Sequence, residues 1–134
     1  MRRIKKVIIH CSATPQGRDV KTDTIRQWHL NKGWSDIGYH YVIELDGSIN
    51  VGRDVSKIGA HTLGENKGSI GVCYVGGMNI SMTKPEDTRT DEQKEGLICL
   101  INDLKKQFKS ITIHGHNEFS AKACPSFNVN QQNY

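Results

Sequence analysis

The segment Ile4–His10 constrains the fold most: an apolar run built on Val7-Ile8-Ile9 that reads as a buried strand and ends in a histidine. A buried strand requires further elements to cover it, and the rest of the sequence supplies them in a definite order. Thr22 or Asp23 is placed to cap a short helix bearing Ile25, Trp28 and His29, with Gly33 as its C-terminal stop. Tyr39–Leu45 is rich in β-formers, Asp46-Gly47 is a hairpin turn, and Ser48–Gly52 is the returning strand. Ser69–Val75 reads as another strand, closed by Gly76-Gly77, and residues 78–89 as a polar loop. Thr90 and Gln93 form a capping-box pattern ahead of Leu97, Leu100, Ile101, Leu104 and Phe108, whose spacing predicts the longest amphipathic helix. Ile111–His114 is a last short strand, and the residues beyond Gly115 read as loop. Strand, helix, hairpin, strand, helix, strand implies one α/β domain over residues 1–134, with a central mixed β-sheet flanked by helices.

Composition narrows the class of function. Apolar residues make up 36% of the chain and charged residues 24%, as in soluble globular proteins. The net charge of +4 is spread along the sequence rather than gathered into the dense basic stripe of a nucleic-acid binder, so no nucleic-acid partner is expected. No run approaches the roughly 20 apolar residues that span a bilayer, so membrane insertion is not expected either. The basic start of the chain is followed by too short an apolar run for a signal-peptide core. The sequence-level expectation is therefore cytoplasmic synthesis, with action elsewhere only after release or transport. Of the four cysteines, Cys11, Cys73 and Cys99 sit in apolar or strand-like runs and read as reduced, buried thiols. Cys124 lies instead in a polar loop eight residues after His116.

His10 ends the first strand, and His114 and His116 end or follow the last. Strand ends in an α/β domain lie side by side, so these residues can converge with Cys124. Two imidazoles and a thiolate suit Zn²⁺, and three protein ligands leave a fourth position open, as a catalytic site requires. The spacing is not that of a zinc finger, and by itself it leaves a purely structural reading of the strand-end histidines open.

Four blocks carry more information: IIHCSAT at 8–14, RQWHLNKGWSDIGYHYVIELDGSI at 26–49, GAHTLGENKGSIGVCYVGG at 59–77 and HNEFSAKACPSF at 116–127. In this order they resemble the type 2 N-acetylmuramoyl-L-alanine amidases, which include small phage lysozymes and the peptidoglycan recognition proteins. The resemblance covers roughly residues 4–128, with the phage branch the nearer. It implies zinc-dependent hydrolysis of the amide between N-acetylmuramic acid and L-alanine in peptidoglycan. It implies His10, His116 and Cys124 as zinc ligands, with Tyr39 and Lys122 as catalytic residues that do not bind the metal. Without it, Tyr39 reads as a strand aromatic and Lys122 as a solvated loop lysine. His114 falls at a position where the family varies and is not counted as a ligand. His29 is read as helix packing and His40 as structural. Trp34, His61 and Asn66 are the substrate-binding candidates, with Ser69 a weaker one, whereas Trp28 is expected to pack its helix onto the sheet. Glu118 is the nearest carboxylate, and no H-E-x-x-H helix is present. The competing reading is a peptidoglycan-binding module without catalysis, and non-catalytic members of this family commonly lack the cysteine. A monomer is expected; some phage amidases of this type also bind a polymerase, but no separate motif for a regulatory partner stands out here.

Overall fold

The computed structural model describes residues 2–134. Among these residues seven strands and two α-helices are formed: β1 (Lys6–Cys11), β2 (Thr14–Pro15), α1 (Thr22–Asn31), β3 (Tyr41–Ile43), β4 (Ile49–Val51), β5 (Ser69–Tyr74), β6 (Gly77–Met78), α2 (Asp91–Gln107) and β7 (Thr112–Gly115). The main sheet runs β4-β3-β5-β1-β7 and is mixed: β4 is antiparallel to β3, and all other pairings are parallel. β2 and β6 form a separate two-stranded parallel ribbon. That ribbon includes the start of the segment expected to be wholly loop. Among the described residues, no helix is long and apolar enough to cross a membrane.

Alternation along the strands divides the interior in two. Val7, Ile9, Ile70, Val72 and Tyr74 face α2 and pack with its Leu97, Leu100, Ile101 and Leu104. The opposite face meets α1 through Ile25, Ile37, Val42, Cys73 and Val75. His10 has the parity of Ile8, not of Ile9, and therefore belongs to the α1 face.

Helix α2 begins at the expected capping box. Thr90 Oγ1 accepts the Gln93 N–H at 3.0 Å, and Gln93 Oε1 accepts the Thr90 N–H at 2.9 Å. The buried Gln93 amide also donates to the carbonyls of Ile43 and Val75, stitching the helix onto two strands. Helix α1 begins differently from the expectation. Neither Thr22 nor Asp23 is its N-cap; Lys21 holds that position without a side-chain cap. Glu44, just beyond β3, supplies the missing acceptor, its carboxylate taking the Thr22 N–H at 2.9 Å and the Thr22 hydroxyl at 2.7 Å. A carboxylate at a helix N-terminus is favoured electrostatically as well as by its hydrogen bonds. The helix stops at Gly33, whose φ of +92° suits a residue without Cβ. Both hairpin strands are shorter than expected, because Tyr39 and His40 lie before the regular part of β3.

Candidate functional site

In the α1 face, the C-terminal ends of β1 and β7 lie side by side. Ile9 pairs with Gly115, so the next position in register sets His10 beside His116, with ring centroids 4.6 Å apart. His116 opens a short 3₁₀ turn, His116–Glu118, that leads into the loop carrying Lys122 and Cys124. That loop returns to β1: Cys124 Sγ accepts the Cys11 N–H at 3.2 Å and lies 3.9 Å from His10 Nδ1. One donor atom each from His10, His116 and Cys124 falls within 4.8 Å of the others. The fold thus brings together a possible metal-binding group from residues 114 positions apart.

This group lies in a cleft of about 530 Å³ that also reaches Tyr39, His61, Lys122, Trp28, Trp34 and Lys32. His10 is buried and its ring touches that of Tyr39, centroids 5.2 Å apart. Burial holds His10 well below the usual imidazole range, and neighbouring His61, His116 and Lys122 add to the effect. His116 is lowered for the same reasons, burial first and Lys122 second. Both rings are therefore neutral near pH 7 and have lone pairs to offer. Burial raises the Tyr39 phenol well above its ordinary value, with the nearby cysteines adding to the effect, so it keeps its proton. The Cys11 and Cys124 thiols form a coupled pair. Their mutual hydrogen bond brings Cys11 down to about 7 and, together with burial, pushes Cys124 up.

The remaining sequence candidates divide. His61 reaches the cleft, with its ring edge-on to His10. Trp34 lines it too, packed on His29 and with Lys32 Nζ 5.3 Å above its ring. Trp28, expected to pack inward, is instead 37% exposed on the same wall, the same fraction as Trp34. The inward contact of α1 is made by Ile25 and by His29, whose Nδ1 accepts the Gly38 N–H at 2.8 Å. His40 is wholly buried and accepts the Gly71 N–H through Nδ1. Asn66 lies outside the cleft. Its Oδ1 accepts the N–H groups of His61 and Thr62 at 2.9 and 2.8 Å, so it pins the loop rather than facing a ligand. Ser69 is fully buried and bonds His61 and the Glu65 carbonyl. His114 and Glu118 pair with each other at 2.9 Å, and Glu118 also takes the Gly115 N–H, which fixes the turn at His116. Lys32 was missed because a helix-end lysine usually signals only a favourable dipole contact.

A family model described as N-acetylmuramoyl-L-alanine amidase matches residues 1–127. The chain belongs to this family. It is 41% identical over 124 residues to the endolysin of Klebsiella phage KP32, covering 92% of this chain and 82% of that one. Among solved structures it resembles the N-acetylmuramoyl-L-alanine amidase LysC from Clostridium intestinale, with a TM-score of 0.83 at 25% identity, covering 98% of this chain and 83% of the other. It also resembles bumblebee PGRP-SA, with a TM-score of 0.82 at 28% identity, covering 98% and 81%.

Proposed function

We propose that this amidase-family chain is a cell-wall lytic enzyme of the phage endolysin type, hydrolysing the bond between N-acetylmuramic acid and L-alanine with Zn²⁺ as cofactor. The observation that carries the reading is the convergence of His10, His116 and Cys124 at the cleft that also holds Tyr39 and Lys122.

The donor set fits zinc. Two neutral imidazoles and one thiol supply the nitrogen and sulfur that zinc favours, and three protein donors leave one position free. Tetrahedral zinc bonded at about 2.0 Å to nitrogen and about 2.3 Å to sulfur separates those ligand atoms by about 3.5 Å, close to the 3.9 Å between His10 Nδ1 and Cys124 Sγ. A zinc ion held there by His10, His116 and Cys124 would supply Lewis-acid polarisation of a substrate carbonyl and would make water acidic enough to act as a nucleophile near neutral pH.

The remaining work falls to side chains. Lys122 puts a cation beside His10 and His116, where it stabilises negative charge building on the amide oxygen. Tyr39 keeps its phenolic proton and so acts as a hydrogen-bond donor, orienting water or holding the tetrahedral oxyanion. Trp28 and Trp34 offer flat apolar faces for a sugar ring, and Lys32 gives that wall a positive edge. A binding module without catalysis is disfavoured, because Cys124 and both catalytic candidates are present.

Purified muropeptides incubated with the enzyme should gain free L-alanine amino termini by mass spectrometry, and a chelator should abolish the gain. Cleavage at any other bond, or cleavage indifferent to the chelator, would overturn the proposal.

A further inference from the structure

His61 reaches the cleft, yet both of its ring nitrogens are committed inside the protein. Nε2 lies 3.3 Å from Ser69 Oγ, and the Ser69 hydroxyl donates to the Glu65 carbonyl at 2.8 Å. A serine hydroxyl has one proton to give. With that proton on Glu65, Ser69 Oγ acts as acceptor towards His61, so His61 carries its hydrogen on Nε2. Its Nδ1 is then an acceptor, and it faces His10 Nε2 at 2.9 Å and Thr62 Oγ1 at 2.9 Å. Thr62 Oγ1 also lies 3.2 Å from His10 Nε2; because a bare Nε2 would set its lone pair against that of His61 Nδ1, His10 carries its hydrogen on Nε2 and donates into this pair of acceptors. The lone pair of His10 is left on Nδ1, the nitrogen 3.9 Å from Cys124 Sγ.

The His61 ring is locked in place as well as in tautomer. A Cβ on Gly71 would stand 2.6 Å from its Cγ and Cδ2, and a Cβ on Gly59 would stand 2.8 Å from Cδ2, so only glycine fits on either side. Asn66 holds the loop by the N–H groups of His61 and Thr62. The chain Glu65 C=O, Ser69, His61, His10 is one directed run of hydrogen bonds that starts at a backbone carbonyl, whose acceptor character is fixed.

We infer that His61 is a positioning residue: through Ser69 it fixes His10 as the Nε2–H tautomer and so aims the Nδ1 lone pair at the metal position. The consequence for metal binding rests on the zinc reading above, whereas the tautomer does not. Outer hydrogen-bond partners of metal-ligating histidines commonly set ligand orientation and basicity, and losing one costs about 10- to 100-fold in affinity.

The test uses ¹⁵N-labelled full-length protein. In the metal-free wild type, long-range ¹H–¹⁵N correlations should show His10 protonated on Nε2 and bare on Nδ1. In His61→Leu, which removes the nearer acceptor and leaves His10 Nε2 only Thr62 Oγ1 at 3.2 Å, His10 should shift towards the Nδ1–H form, and Zn²⁺ affinity measured against a chromogenic chelator should fall about 10- to 100-fold. His61→Asn, whose Oδ1 stands near the place of Nδ1, should recover most of both. If the leucine variant does not fold, Ser69→Ala frees His61 from its tautomer and should move the His10 signals in the same direction. A His10 that is Nδ1–H in the wild type overturns the inference. So does a folded His61→Leu with unchanged tautomer and affinity, or leucine and asparagine variants that behave alike. If the wild type binds no zinc, the metal reading falls, and the tautomer signals still decide the role of His61.

Discussion

The two faces of the central sheet are built from alternate residues of the same strands and serve different ends. Towards α2, every second residue of β1 and β5 is an apolar side chain in a core without a histidine. Towards α1, the intervening positions include His10 and Gly71, while the helix itself brings in His29 and the covering loops His40 and His61. The first face gains its stability from apolar burial, at about 1.5–3 kcal/mol for each Leu or Ile side chain. The second spends buried volume on polar groups, and each has a partner: no buried side-chain N or O among the described residues lacks a hydrogen bond. The difference teaches that one strand can build a dry core and a reactive site together, because period-two alternation keeps them a sheet thickness apart.

Substitutions should respect that separation. Ile101→Ala, on the α2 face, should cost about 2–5 kcal/mol of stability by leaving a cavity, while the folded fraction binds metal as before. Chemical denaturation combined with metal analysis checks this, and loss of metal without loss of stability would break the division between the faces. On the other face the expected pattern reverses. Lys122→Ala and Tyr39→Phe should unfold as the parent does and retain zinc, yet lose about 2.7–4 kcal/mol of transition-state stabilisation, roughly a hundred- to a thousandfold in turnover. Steady-state rates on muropeptides decide it, and near-normal activity in either variant would return that residue to the structural class.

A more gradual effect sharpens the contrast. Burial lowers His29 and His40 to about 4 and His61 to about 3, from 6.5. The unfolded chain therefore takes up protons that the folded chain refuses. Their stabilising effect is complete above pH 6.5 and is lost as pH falls from there towards about 4 for His29 and His40 and about 3 for His61. Melting temperatures should drop across that window, and amide exchange should rise first in the loops of the α1 face. A melting temperature flat from neutral pH to about 4 would show that these histidines do not hold the face together.

Much of this was legible in the sequence, and the exceptions have physical causes. The α2 helix was readable because its capping box and apolar spacing are local signals. The convergence of His10, His116 and Cys124 was readable because strand ends and motif blocks both pointed to it. The cap of α1 was not, since Glu44 lies 22 residues from Thr22 and meets it only through the fold. Trp28 was expected to pack its helix onto the sheet, but His29 and Ile25 fill that side of the helix. Asn66 was expected to hydrogen-bond a substrate, but its oxygen is taken by two backbone N–H groups five and four residues back, a contact that only the folded loop reveals.

The claim on which the account turns is that His10, His116 and Cys124 hold one zinc ion. Zinc K-edge X-ray absorption on the loaded protein measures this directly. The predicted spectrum has one sulfur at about 2.3 Å and imidazole nitrogen at about 2.0 Å, with the sulfur shell absent in Cys124→Ser. A spectrum without sulfur, or one that keeps its sulfur shell in that variant, would contradict the assignment.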